Sequence, residues 1–253
     1  MRLTFLGTGT SIGVPEMCCH CPTCMSQDPH DKRLRTSALL ETGTANIIID
    51  CGPDFRQQTL RAGIQRIDAV ILTHEHYDHV GGLDDLRPYC TDRVIPVYAE
   101  SYVIRDIMQR MPYCFGQDKK PRTPTMELRE IKPDVPFRIA DIEILPLRVM
   151  HGNIPILGFR IGNLTYITDM KSMSDDQIQL IEGTKTLVVN ALHTKEHQTH
   201  QNVRQAVLFA ERIGADETYF VHMSHRAGLH EVMNAKFPPH MQFAYDGLVL
   251  ENV

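Results

Sequence analysis

One short string constrains this chain more than any other feature. Thr73-His74-Glu75-His76-Tyr77-Asp78-His79 is an H-x-H-x-D-H pattern that follows directly on the apolar run at residues 69–72. That run reads as a short buried strand. A loop leaving a strand end can aim several side chains at one point, whereas a continuous strand or helix spreads them over its faces. Imidazole and carboxylate are donors that Zn²⁺, Mn²⁺ or Fe²⁺ accept, and no thiol stands among them. The bland alternative, a chance cluster of surface polar residues, is disfavoured by so tight a spacing. A fold that serves this string must bring further donors to the same strand end.

Candidate donors recur later at comparable places. His151 follows a strand read over residues 141–148, Asp169 follows one over 164–167, and His222 follows one over 218–221. Taken singly, each is more often an ordinary polar residue. Asp50-Cys51-Gly52 closes the second strand of a hairpin read over Ser37–Glu41 and residues 46–50, turning at Thr42-Gly43. A carboxylate there is either a turn residue or a partner that orients metal ligands. The other strands read are residues 2–6, 156–161 and Thr186–Asn190; the helices are residues 53–62, 100–110, one capped by Ser174, and 202–213 ended by Gly214. Strands and helices alternate with no linker, repeat or low-complexity tract. This favours one two-sheet domain over residues 1–253 with helices outside.

A second cluster, Cys18-Cys19-His20-Cys21-Pro22-Thr23-Cys24, contains C-x-C-x-x-C. Thiolates at this spacing wrap one tetrahedral Zn²⁺ and leave a position for a fourth ligand. His225, three residues past His222, is the candidate; His20 and His230 are rivals, and Cys18 competes with Cys19. Seven cysteines, an odd number, suit a metal site better than a disulfide framework. The formal net charge of −5 argues against a long polyanion such as RNA as partner. It leaves room for a small anion held by bound cations. No run reaches the roughly 18 apolar residues of a membrane helix, and the N-terminal segment is too short for a signal peptide. A cytoplasmic location without membrane contact is expected.

These motifs resemble the metallo-β-lactamase-fold hydrolase superfamily over essentially the whole chain. The resemblance implies an α/β fold, a four-layer αββα sandwich of two mixed sheets flanked by helices. It implies His74, His76 and His151 on one divalent ion, Asp78, His79 and His222 on a second, and Asp169 between them. Asp50 would orient the His loop. The Cys loop, the His222-Met223-Ser224-His225 ending and the Gly-Thr-Gly-Thr-Ser-x-Gly-Val-Pro opening at residues 7–15 are similar to the PhnP-like phosphodiesterase branch. By that match Cys19, Cys21, Cys24 and His225 hold a structural zinc. His200, in His197-Gln198-Thr199-His200, is the proton donor to the leaving oxygen, with His197 its rival; the plain alternative places His200 at an exposed helix start.

The activity implied is hydrolysis of a small phosphodiester, including cyclic ones, by a water that two divalent ions activate. Zn²⁺ or Mn²⁺ are the first choices for those ions, with Fe²⁺ or Ni²⁺ as alternatives. Asp78 is essential as a ligand. Three other readings share the core: a thioester hydrolase of glyoxalase II type, a tRNA-processing endonuclease, and a non-catalytic metal-binding protein. A homodimer is a further expectation from relatives. Between the His string and His151, Tyr89, Tyr113 and Phe115 are candidates to line the pocket, and Lys119, Lys120 and Arg122 to meet a phosphate. Core packing and a solvated basic loop are the plainer readings there, and the favoured ones.

Overall fold

Unbroken apolar runs in the central strands, such as residues 47–49 and 187–189, demand cover on both faces, and the chain supplies it with two sheets. The structure, a computed structural model, describes residues 1–116, 119 and 121–253. The strands are β1 (Arg2–Gly7), β2 (Ser37–Glu41), β3 (Asn46–Ile49), β4 (Ala69–Ile71), β5 (Ile95–Ala99), β6 (Met126–Glu130), β7 (Phe137–Ile139), β8 (Ile142–His151), β9 (Ile154–Ile161), β10 (Leu164–Tyr166), β11 (Thr186–Asn190), β12 (Glu217–Val221), β13 (Met241–Phe243) and β14 (Val249–Glu251). They form two seven-stranded sheets, ordered β14-β1-β2-β3-β4-β5-β6 and β13-β12-β11-β10-β9-β8-β7. Each sheet is mixed. In the first, β14 through β3 pair antiparallel and β3 through β6 parallel. In the second, β7 through β10 pair antiparallel and β10 through β13 parallel.

The period-two alternation of each strand sorts its side chains into layers. Ile47 and Ile49 of β3 meet Phe159 of β9, Tyr166 of β10 and Val188 of β11 in the core between the sheets. Ile48 points the other way, into a layer with Phe55, Val103 and Ile107. Those three belong to α2 (Phe55–Ala62), which follows α1 (Pro22–Met25), and to α4 (Ser101–Arg110), which follows α3 (Tyr77–Val80). On the far side Leu187 and Val189 of β11 pack with Ala206 and Phe209. Here α5 (Asp175–Gln179), α6 (Val203–Ile213) and α7 (His230–Asn234) follow in the chain. The order helix, sheet, sheet, helix is the expected αββα sandwich.

Strands β5, β6, β7, β13 and β14 were not foreseen. β6 carries Glu127, Arg129 and Glu130 on an edge, and β7, β13 and β14 have three residues each, too few for a periodicity to register. β8 also runs on through His151, which ends the strand rather than following it. None of the described helices is long and apolar enough to cross a membrane.

Candidate active site

The parallel halves of both sheets end on one side, and the chain turns sharply there. Beyond β3 comes Asp50, beyond β10 Asp169, beyond β12 His222; all three are non-glycine residues with φ near +60° (59°, 57° and 57°). Such backbone is strained by about 1–3 kcal/mol per residue and persists only where the surroundings enforce it. Three such residues on one edge mark the place where these turns aim side chains inward.

Asp50 organises the His loop. Its Oδ1 accepts from the Thr73 backbone N–H (2.8 Å), and its Oδ2 accepts from the Thr73 hydroxyl (2.9 Å) and from His79 Nδ1–H (2.7 Å). This fixes the His79 tautomer and turns its Nε2 toward the cluster. Thr73 Oγ1 in turn lies 2.9 Å from His74 Nδ1, leaving His74 Nε2 to face His76 Nδ1 at 2.9 Å. The close approach of the Asp-Cys-Gly turn needs glycine: a Cβ on Gly52 would stand 2.1 Å from the Asp78 carbonyl oxygen, and one on Gly82 would stand 2.0 Å from that of Gly52. Gly82 and Thr73 carry parts of the site that the motif reading passed over.

Five of the seven predicted ligand residues fall into two tight groups of donors, His74 and His76 stand in neither, and His200 takes a place in the second. Donor atoms of Asp78, His79, Asp169 and His222 lie within 4.8 Å of one another, and so do those of His151, Asp169 and His200. Asp169 belongs to both groups. Its Oδ1 is 3.4 Å from His79 Nε2, and its Oδ2 is 3.3 Å from His222 Nε2, 3.1 Å from His200 Nε2 and 4.0 Å from His74 Nε2. His151 donates Nδ1–H to the Asp169 carbonyl oxygen (2.7 Å), which frees its Nε2 for the cluster. The His76 ring stands 5.2 Å from that of His151.

The electrostatics call for positive charge. Burial alone would raise the Asp78 carboxyl, but His79 and a hydrogen bond from His222 hold it far below the usual carboxylate range. Burial opposes ionisation of Asp169 too, and His222 and His79 outweigh it. His79, despite burial, is held well above the ordinary histidine value by Asp78, Asp169 and Asp50. Buried carboxylates at this density demand a compensating cation. His79 Nε2 is moreover buried without a hydrogen-bond partner. An unpartnered imidazole nitrogen beside two carboxylates is what a divalent ion of borderline softness would satisfy. The set of Asp78, His79, Asp169 and His222 fits one such ion, and the set of His151, Asp169 and His200 a second.

His200 is not at an exposed helix start. It is buried before α6, whose N-terminus is closed by a reciprocal Asn202–Gln205 capping box. Burial pushes its pKa down to about 4, against the pull of Asp169. Its Nδ1 lies 2.9 Å from Thr199 Oγ1 and 3.2 Å from His197 Nδ1. Both histidines of this motif therefore adjoin the cluster, His200 in contact with Asp169 and His197 behind it.

The cysteine cluster forms next door. Sγ atoms of Cys19, Cys21 and Cys24 lie 3.1, 3.3 and 3.4 Å from His225 Nδ1. Cys18 and His20 are exposed, and His230 is engaged with Arg33 and Asn234, so the rival ligands fall away. Despite some burial, hydrogen bonds from the Cys24 backbone and the neighbouring thiols bring Cys21 down to about 6, while burial pushes Cys24 up to about 11. Glu16, which had no signal in the motif, stands 2.9 Å from His225 Nε2 and orients the ring. Thr8 and Thr10 bond through their backbones to Met223, so the segment that leads into the Cys loop is tied to the turn that carries His222.

Of the insert residues, Tyr89 and Phe115 pack against the outer core, as the plainer reading has it. Lys119 reaches Thr125, Arg122 is exposed, and Lys120 lies outside the described residues. Tyr113 packs there too and also lines a cavity.

Comparison with known proteins places this geometry. The model of the beta-lactamase superfamily domain matches residues 45–223. A crystal structure of a diphosphatase from the PhnP family is 37% identical, covers 100% of this chain and 98% of that one, and superimposes with a TM-score of 0.93. An octanoyltransferase of Porphyromonas gingivalis is 50% identical over 98% of this chain, but the chain spans about half (51%) of that relative's length. Zn²⁺-bound PqqB from Methylobacterium extorquens, 19% identical over 99% of this chain and 100% of that one with a TM-score of 0.82, shares the fold.

Proposed function

The chain belongs to the beta-lactamase superfamily of metal-dependent hydrolases, and within it to the PhnP family; from that premise we propose that it hydrolyses small phosphodiesters. The observation that carries this reading is one buried carboxylate, Asp169, common to two groups of convergent donors. In this reading His74, His76 and His151 hold one divalent ion, and Asp78, His79 and His222 hold the other. Zn²⁺ or Mn²⁺ suit this mixed imidazole and carboxylate set best, and Fe²⁺ or Ni²⁺ are also compatible. Cys19, Cys21, Cys24 and His225 hold a structural Zn²⁺. When bound, a pair of ions supplies an acidified water and offsets charge on the non-bridging phosphoryl oxygens.

The chain's own groups do the rest. Asp50 and the Asp169 carbonyl engage Nδ1 of His79 and His151, so that each ring turns Nε2 inward, where a bound ion would displace its proton. His200 stands 3.1 Å from Asp169 and hands a proton to the leaving alkoxide. In the free protein its pKa of about 4 leaves it neutral at pH 7. A bound phosphate anion would raise that value and bound cations would lower it, so its protonation is set by the balance of the two. Thr199 and His197 steady its outer nitrogen.

Two relatives carry names that point to other chemistry, one a diphosphatase and one an octanoyltransferase. The test is a panel with protein loaded with Zn²⁺ or Mn²⁺: bis(p-nitrophenyl) phosphate, a cyclic nucleotide, a diphosphate diester and an octanoyl thioester. Highest kcat/KM on the phosphodiesters supports the proposal. Preference for the anhydride or the thioester by tenfold or more replaces it.

A further inference from the structure

Each strained corner of the site, at Asp50, Asp169 and His222, is followed by a residue whose two peptide groups are both held from outside. After Asp50, the Cys51 N–H donates to the His79 carbonyl (2.7 Å), and the Cys51 carbonyl accepts from the Gly82 N–H (2.8 Å). After His222, the Met223 N–H donates to the Thr8 carbonyl, and the Met223 carbonyl accepts from the Thr10 N–H, both at 3.0 Å. After Asp169, a side chain takes the place of this second backbone. Asn190, fully buried at the end of β11, accepts from the Met170 N–H at Oδ1 (2.7 Å) and donates Nδ2–H to the Met170 carbonyl (3.0 Å). Two corners are thus held by main chain, which outlasts a change of side chain. The third depends on one carboxamide, a group that offers a donor and an acceptor together.

The backbone that Asn190 holds gathers one donor group and not the other. His151 Nδ1–H donates to the Asp169 carbonyl (2.7 Å), and the Gln201 N–H, next to His200, donates to the Met170 carbonyl (2.9 Å). His151, Asp169 and His200, the members of one group, therefore all hang on the peptide groups of residues 169 and 170. In the other group His79 has its own hold in Asp50, and His222 in the Thr8–Thr10 segment.

We propose that Asn190 is a positioning residue for this centre: its clamp on Met170 fixes the turn at Asp169 and so assembles the His151, Asp169 and His200 donors. Asn190 spends its amide on Met170 and acts on the donors only through that backbone. The inference rests on the reading that the centre holds two ions, and it concerns the ion on the His151 side.

Protein with zinc at the cysteine cluster is titrated with Mn²⁺ and followed by electron paramagnetic resonance, which distinguishes an isolated ion from a magnetically coupled pair. The unaltered protein is expected to take two coupled ions. Asn190→Leu, similar in shape but without either bond, should weaken the second ion about 10- to 100-fold, leave the first within about threefold, and give the signal of an isolated ion. Asn190→Asp keeps an acceptor for the Met170 N–H and loses the donor; its effect should lie between, and it carries the test if the leucine variant does not fold. Thr165→Val removes a different buried bond of β10, to Thr184 (2.7 Å), and should lower stability while keeping both ions. Two coupled ions of undiminished affinity in a folded Asn190 variant overturn the role of Asn190 alone. Equal weakening of both ions there, or the same loss in Thr165→Val, also overturns it, as a general effect on the fold. One ion or none in the unaltered protein overturns the two-ion reading itself, and this inference with it.

Discussion

Asp50 concentrates the lesson of single residues. It touches no substrate in the proposed reaction, yet its carboxylate holds Thr73 and His79 and is fully buried. Asp50→Ala leaves the Thr73 N–H and His79 Nδ1–H without acceptors, at a cost of about 1–3 kcal/mol for a buried unsatisfied group. Loss of such an outer partner typically lowers metal affinity 10- to 100-fold. Competition against a chromophoric chelator and a urea midpoint would read both effects; unchanged metal affinity would remove Asp50 from the site. His200 makes a contrasting claim. Its Nε2 reaches Asp169, and as an acid its removal matters only when the leaving group needs a proton. His200→Ala should therefore cost a factor of roughly 10²–10⁴ with an alkoxide leaving group and far less with p-nitrophenolate. Equal losses for both would make His200 a structural or ligating residue instead.

Among the elements, the loop after β1 and the α7 region hold each other through a buried polar knot. His230 accepts from Arg33 at Nδ1 (3.3 Å), its backbone N–H donates to Asp31, and its ring packs 4.8 Å from that of His30. Burial, then Arg33 and His30, push His230 down to about 4. The folded chain thus binds fewer protons than the unfolded one between pH 4 and the ordinary value near 6.5. Its contribution is complete above about pH 6.5 and is lost as pH falls toward 4, amounting to up to about 3 kcal/mol. Urea unfolding at pH 7, 5.5 and 4 should show this decline, and His230→Gln should flatten it; an equally steep decline in the variant would assign it to other groups. The same scale shows where patterning stops being legible. β3 and β11 announce themselves because each carries an unbroken run of three apolar residues, 47–49 and 187–189, covered on both faces. β6, an edge strand with Glu127 and Arg129, and the three-residue β13 and β14 acquire their identity only from the neighbour they pair with.

At the level of the molecule, six separate stretches of chain meet at one edge of two sheets, and the like charges they bring make bound cations part of the stability. Chelation should lower the thermal midpoint by several degrees, since a ligand at 100 times its dissociation constant contributes about 2.7 kcal/mol. Cys21→Ser should lose one Zn²⁺ per chain by elemental analysis and retain the pair at the other cluster; retention of all ions would refute the Cys19, Cys21, Cys24, His225 assignment. Linear order alone determined the donor types, the His string after its strand, the later donors at strand ends and the two-sheet class, because residue chemistry and strand periodicity are local properties. Tertiary structure alone decided that Asp169 stands between two donor groups, that His225 rather than His20 or His230 closes the cysteine cluster, and that His200 is buried against Asp169. Those are distances between residues remote in sequence, set by how the sheets pack and where the parallel strands end.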